Sequence, residues 1–71
     1  MSKNYHVVPK DDKWGVVRES ADKAGSLHDT QKEAIEVGRG RAIRDHGELV
    51  IHDQHGRTVR VNDFETLRDG V

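Results

Sequence analysis

The sequence predicts a two-layer α+β domain, one helix packed on a four- to five-stranded, mostly antiparallel sheet in the order ββ(β)αββ. Three observations carry this reading. Asp29 to Gly47 has helix signals at both ends and an apolar stripe between them. On each side of it, two short β-prone runs flank a polar turn: Tyr5 to Val8 with Trp14 to Arg18, then Glu48 to His52 with Arg57 to Val61. Nothing repeats at a fixed period and no linker interrupts the 71 residues, so they form a single domain, with a structured core over 4–61 and a C-terminal tail over 62–71.

The first strand alternates, Tyr5 and Val7 to one side and His6 and Val8 to the other, and Pro9 is expected to end it. Lys10-Asp11-Asp12-Lys13 is a turn, and Trp14 and Val16 return on the inner face. Trp14 reads as a core anchor beneath the helix rather than a base-stacking surface. Lys23 to His28 offers a short third strand with Leu27 inward. In the helix, Thr30 and Glu33 have capping-box spacing, and Gly47 is placed as a left-handed stop. Ala34, Ile35, Gly38 and Ala42 share one face, and Gly38 lets that face approach the sheet closely. Gly56 is expected to have a positive φ in the second turn, with Val59 and Val61 facing the core and Thr58 and Arg60 facing out. In the tail, Asp63 is a candidate helix cap, with Phe64 and Leu67 one helical turn apart.

The resulting core is thin, and a chain of this size buries only about 60% of its unfolded surface. With no cysteine, disulfides and thiolate zinc sites are excluded as supplements, which leaves association with another chain. The second sheet face, with His6, Val8, Val17, Val50, His52, Thr58 and Arg60, makes several strands apolar on both sides, as strands buried on both faces are. A homodimer packed sheet to sheet is the simplest cover. Its candidate interface is His6, Val8, Val17, Val50 and His52, with Phe64 and Leu67 of the tail. The competing reading is that valine suits any strand, exposed or not.

The set His6-Val7-Val8-Pro9, Trp14 and Val16, Thr30-x-x-Glu33-Ala34-Ile35, and Leu49-Val50-Ile51-His52 with Gly56-Arg57 resembles a family of small prokaryotic proteins known as domain of unknown function 2188. The resemblance runs from Tyr5 to Val61. It implies a small stand-alone cytoplasmic domain and carries no catalytic residue and no activity.

The chemistry-bearing residues give less direction. Arg39, Arg41 and Arg44 occupy the second half of the helix and Glu33 and Glu36 the first, the arrangement the helix dipole favours. With Arg60 they also form the candidate contacts of a weak nucleic-acid binder, the alternative function. A balance of 12 basic against 13 acidic residues argues against a dedicated nucleic-acid domain. Of five histidines, His6 and His52 share the outer face, and a pair across a dimer interface would respond to pH. His52-x-x-His55 with Asp53 lacks the convergence a metal needs, so no metal site is assigned. No nucleophile elbow, HExxH, P-loop or dinucleotide fingerprint is present, so no enzyme and no cofactor are expected. No apolar run reaches the roughly 20 residues of a membrane span. Met1-Ser2-Lys3-Asn4-Tyr5 also lacks a signal peptide's apolar segment, so a cytoplasmic protein that binds itself or another protein is the expectation.

Overall fold

The computed structural model describes residues 3–64. Its elements are β1 (Tyr5–Lys10), β2 (Lys13–Arg18), β3 (Ser26–His28), α1 (Gln31–Asp45), β4 (Glu48–His52) and β5 (Thr58–Asp63). They build the expected two-layer α+β fold: one helix over a five-stranded sheet of order β3-β2-β1-β4-β5. Every neighbouring pair is antiparallel except β1 and β4, whose parallel pairing sets His6 beside Val50 and Val7 beside Ile51.

Pro9 does not end β1; it pairs with Trp14 inside the first hairpin. The pairing with β4 covers only Tyr5 to Val7, so the missing proline donor falls where β1 no longer has a partner on that side. Asp11 makes the tight turn with a φ of 58°, a left-handed conformation aspartate tolerates.

At the start of α1, the Glu33 amide donates to Thr30 Oγ1 (3.1 Å). The other half of the capping box is replaced by a contact of Glu33 Oε1 with His28 Nδ1 (3.3 Å). At the other end the left-handed residue is His46 (φ 57°), not Gly47 as the sequence suggested. Gly47 answers a different need: a Cβ there would overlap the Lys3 carbonyl. Gly38 has the role expected of it, since its Cβ would lie 2.8 Å from Leu49 Cδ1 and 3.4 Å from Val7 Cγ2. The helix thus rests almost backbone-on-sheet.

The core is Tyr5, Val7, Val16, Ala34, Ala42, Leu49 and Ile51, fringed by Trp14, Ile35, Val37 and Phe64. Leu27, Val59 and Val61, all expected inside, are more than half exposed. One helix packs on β1, β2 and β4, with a lighter contact to β3, and does not span all five strands. Leu27 pairs with Gly15 and so turns away from the helix. In β5 a bulge opposite Ile51 and His52 shifts the alternation. Val61 then pairs with Val50 on the outer face, and Arg60 pairs with Ile51 on the helix side, the reverse of the expected facing. Asn62 and Asp63 continue β5, so Asp63 is not a helix cap. Leu67 and its spacing from Phe64 lie outside the described residues.

Candidate functional site

Two places on the molecule hold unusual side-chain groupings, one on each face of the sheet. The first is the face away from α1. Register places Val17, His6, Val50 and Val61 in one row across four strands, with Leu27, Gly15 and Val8 in another. Val8, Val17 and Val50 are half-buried and Leu27 and Val61 exposed; no described helix or strand lies over them, and of the β2–β3 loop Ala24 meets the face beside Gly15. Of the expected interface residues, His6, Val8, Val17, Val50 and His52 therefore do share one surface. Phe64 does not join it: it packs at the core's fringe, its amide donating to the Gly47 carbonyl (2.9 Å).

His6 and His52 stack on this face with ring centroids 5.3 Å apart, and His6 Nδ1 lies 3.0 Å from His52 Nε2. The pair forms within one chain. His6 Nε2 meets Glu19 Oε1 at 3.2 Å, and His52 Nδ1 meets the Gly56 carbonyl at 3.3 Å. Proton accounting follows from these partners. When His6 is neutral and donates to the carboxylate through Nε2, its Nδ1 accepts from His52 Nε2–H. One further proton lets the pair fill every contact, with His6 Nδ1–H donating to His52 Nε2 and His52 Nδ1–H donating to the Gly56 carbonyl. Asp53, considered above as a metal ligand, instead accepts from the His55 and Arg57 amides (2.8 and 3.0 Å). Those bonds, the Arg57 amide foremost, hold its carboxyl below the ordinary carboxylate range.

The second place is a cavity of about 430 Å³ between the end of α1, the end of β2 and the β2–β3 loop, lined by Tyr5, Arg18, Ala21, Lys23, Gly25, Arg41 and Arg44. At its floor the buried Tyr5 hydroxyl donates to Asp45 Oδ2 (2.5 Å) and accepts from Arg18 Nη2 (2.8 Å) and Arg44 Nη2 (3.3 Å). Arg44 Nε also donates to Asp45 Oδ1 (2.9 Å). Sequence reading missed Arg18, Lys23 and Tyr5 as members of one group. A signal for two of them was present: the tight turn that pairs Lys10 with Lys13 also pairs Tyr5 with Arg18.

The Arg44 hydrogen bond, then the Tyr5 hydroxyl, hold the Asp45 carboxyl down to about 2. A depressed carboxylate pKa gives stability that is complete above the ordinary value and lost as pH falls through the folded one. Wild type should therefore melt above Asp45→Asn at pH 5–7, and the gap should close as pH falls from about 4 toward 2. Parallel melting curves for the two proteins over that range would refute the contribution.

The four candidate nucleic-acid residues divide between two places. Arg41 and Arg44 line the cavity just described, while Arg39 and Arg60 line another of about 230 Å³ with Ile35, Asn62 and Phe64.

The model of a family described as "Uncharacterized protein conserved in bacteria (DUF2188)" matches residues 5–64. No curated protein and no solved structure matches.

Proposed function

The chain belongs to this bacterial family of uncharacterised proteins, and we propose that the domain is a non-enzymatic interaction module that pairs with a second copy of itself through the helix-free face of the sheet. The observation that carries this is the apolar set Val8, Val17, Leu27, Val50 and Val61 on a face that no described helix or strand covers. The rest of the molecule supplies the motive. Among the described residues, seven buried hydrophobic ones make a small core, and no cysteine cross-links it. Burying a second face would nearly complete a sandwich around β1 and β4. A two-fold axis lets one surface serve both partners, setting the valine rows of one copy against those of the other with His6, His52 and Glu19 beside them. The setting we propose is the cytoplasm; no described helix is long and apolar enough to cross a membrane.

Light scattering tests the proposal. Wild type should show twice the 8.0 kDa chain mass, and Val50→Asp and Val17→Asp should each show the single-chain mass with an unchanged circular dichroism spectrum. Placing an unpaired carboxylate in an apolar interface costs several kcal/mol, so a loss of affinity of about 100-fold or more is expected. If both variants keep the dimer mass, or if wild type is monomeric at high concentration, the proposal is wrong.

Nucleic-acid binding is the second reading and has less support. Its four arginines split into two groups, Arg41 with Arg44 and Arg39 with Arg60, rather than forming one track along a backbone.

A further inference from the structure

The cationic cavity on the opposite side of the sheet is unexplained by self-association. Four cationic side chains, Arg18, Lys23, Arg41 and Arg44, line it in a chain whose formal net charge is −1. They come from three separate elements: the end of β2, the loop after it and the last turns of α1. Gathering like charges costs free energy unless something of opposite sign offsets them. Beside the cavity only part of that offset is present. Asp45 faces Arg44 and, at 3.8 Å, Arg18. Among the described residues, Arg41 and Lys23 have no carboxylate within ion-pair distance.

The site is also built rather than merely populated. The Tyr5 side chain is 2% exposed, and its hydroxyl holds one nitrogen each of Arg18 and Arg44. The Arg18 guanidinium lies 5.4 Å from the Tyr5 ring centroid, which fixes its direction further. Gly25 gives Arg41 its room: a Cβ there would stand 2.9 Å from Arg41 Nη1. Guanidinium groups held in place before a ligand arrives lose little freedom on binding it, which is the condition for useful affinity.

We propose that this cavity binds the phosphoryl group of a small phosphomonoester. The charge and the shape together indicate the class. A single carboxylate is satisfied by one bidentate guanidinium, whereas donors converging from three elements suit a doubly charged, tetrahedral group with several acceptor oxygens. The volume of about 430 Å³ falls within the range of small-molecule sites and leaves room for the body that carries the phosphate. Arg41 and Lys23 supply the uncompensated charge, while Arg18 and Arg44, held by Tyr5, supply oriented donors. The site lies on the helix side, so it does not depend on the sheet-face dimer.

The test is a ¹H–¹⁵N NMR titration of the full chain at low salt with inorganic phosphate, AMP and glucose 6-phosphate, using adenosine and glucose as uncharged controls. Saturable shifts are expected at the Gly25 amide and at the Nε–H of Arg18, Arg41 and Arg44, with none from the uncharged controls. Arg41→Ala should weaken AMP by about tenfold or more, the loss typical of one charge-assisted contact. Arg39→Ala, on a different cavity, should leave the affinity unchanged. Both are surface changes away from the core, and dispersed spectra of the two variants establish that they fold. Three results would each overturn the proposal: no saturable shift at millimolar phosphate or phosphomonoester, equal affinity in wild type and Arg41→Ala, or a preference for duplex DNA with shifts spreading to Arg39 and Arg60.

Discussion

Gly47→Ala is expected to destabilise the domain by about 3 kcal/mol, a loss of roughly 12–24 °C in melting temperature for a protein this small. The reason is backbone against backbone. A Cβ at Gly47 would overlap the Lys3 carbonyl oxygen and approach Asn4 Oδ1 to 3.1 Å. Neither chain can give way cheaply, because several bonds meet there. The Gly47 amide donates to the Ala42 carbonyl (2.9 Å), the Phe64 amide donates to the Gly47 carbonyl (2.9 Å), and the Glu48 amide donates to Asn4 Oδ1 (2.9 Å). These bonds tie the helix end, the start of β4, the approach to β1 and the end of β5 at one point. A total stability of about 4–11 kcal/mol is typical at this length, so losing 3 is severe. His46→Gly is the informative companion. His46 has the left-handed conformation that closes α1, and glycine there should stabilise by about 1 kcal/mol. Urea denaturation of both variants checks the pair. A loss below about 1 kcal/mol for Gly47→Ala would mean that the close approach to Lys3 is not what requires glycine.

How far these features could be read in the sequence depends on whether their cause was local. Helix start, hairpin turns and the alternation of β1, β2 and β4 are set by residues within a few positions of each other, and they stand in the structure where the pattern puts them. The Gly56 positive φ (82°) is of the same kind. Gly47 was identified as special for the wrong reason. Its local context resembles a helix stop, while the actual constraint comes from Lys3, more than forty positions away. The facing of β5 failed for a related reason. Period-2 alternation continued from Arg57 cannot anticipate a bulge, and one extra residue turns Val61 out and Arg60 in. Of the outer-face group, the five strand residues were legible because alternation alone places them. The cationic cavity was not, because it needs the sheet order that brings the end of β2 beside the end of α1. Only the pairing of Tyr5 with Arg18 was within reach of hairpin register.

Two glycines in α1 give the other large effect, and they should respond with opposite sign. Gly38 is buried, and its missing side chain is what lets Leu49, Val7 and Val16 meet the helix backbone, at 2.8, 3.4 and 3.6 Å from where a Cβ would stand. All three partners are fully buried, so no neighbour can swing into solvent to make room. Gly38→Leu must push the helix off β1, β2 and β4 at once, and a loss of about 3 kcal/mol or more is expected, enough to leave much of the protein unfolded at 37 °C. Gly40 is two residues along the same helix, exposed, with no described atom within 4 Å of where a Cβ would stand. There the lost backbone freedom of glycine is uncompensated, and Gly40→Ala should stabilise by about 0.8–1 kcal/mol. Chemical denaturation of the two variants beside wild type gives both values in one experiment. If Gly38→Leu were as stable as wild type, the helix would not be seated on the sheet through its backbone. If Gly40→Ala were destabilising, its open position would have a contact that these residues do not provide. The opposite signs follow from one geometry: α1 has a single face close to the sheet, and position 38 is on it while position 40 is turned to solvent.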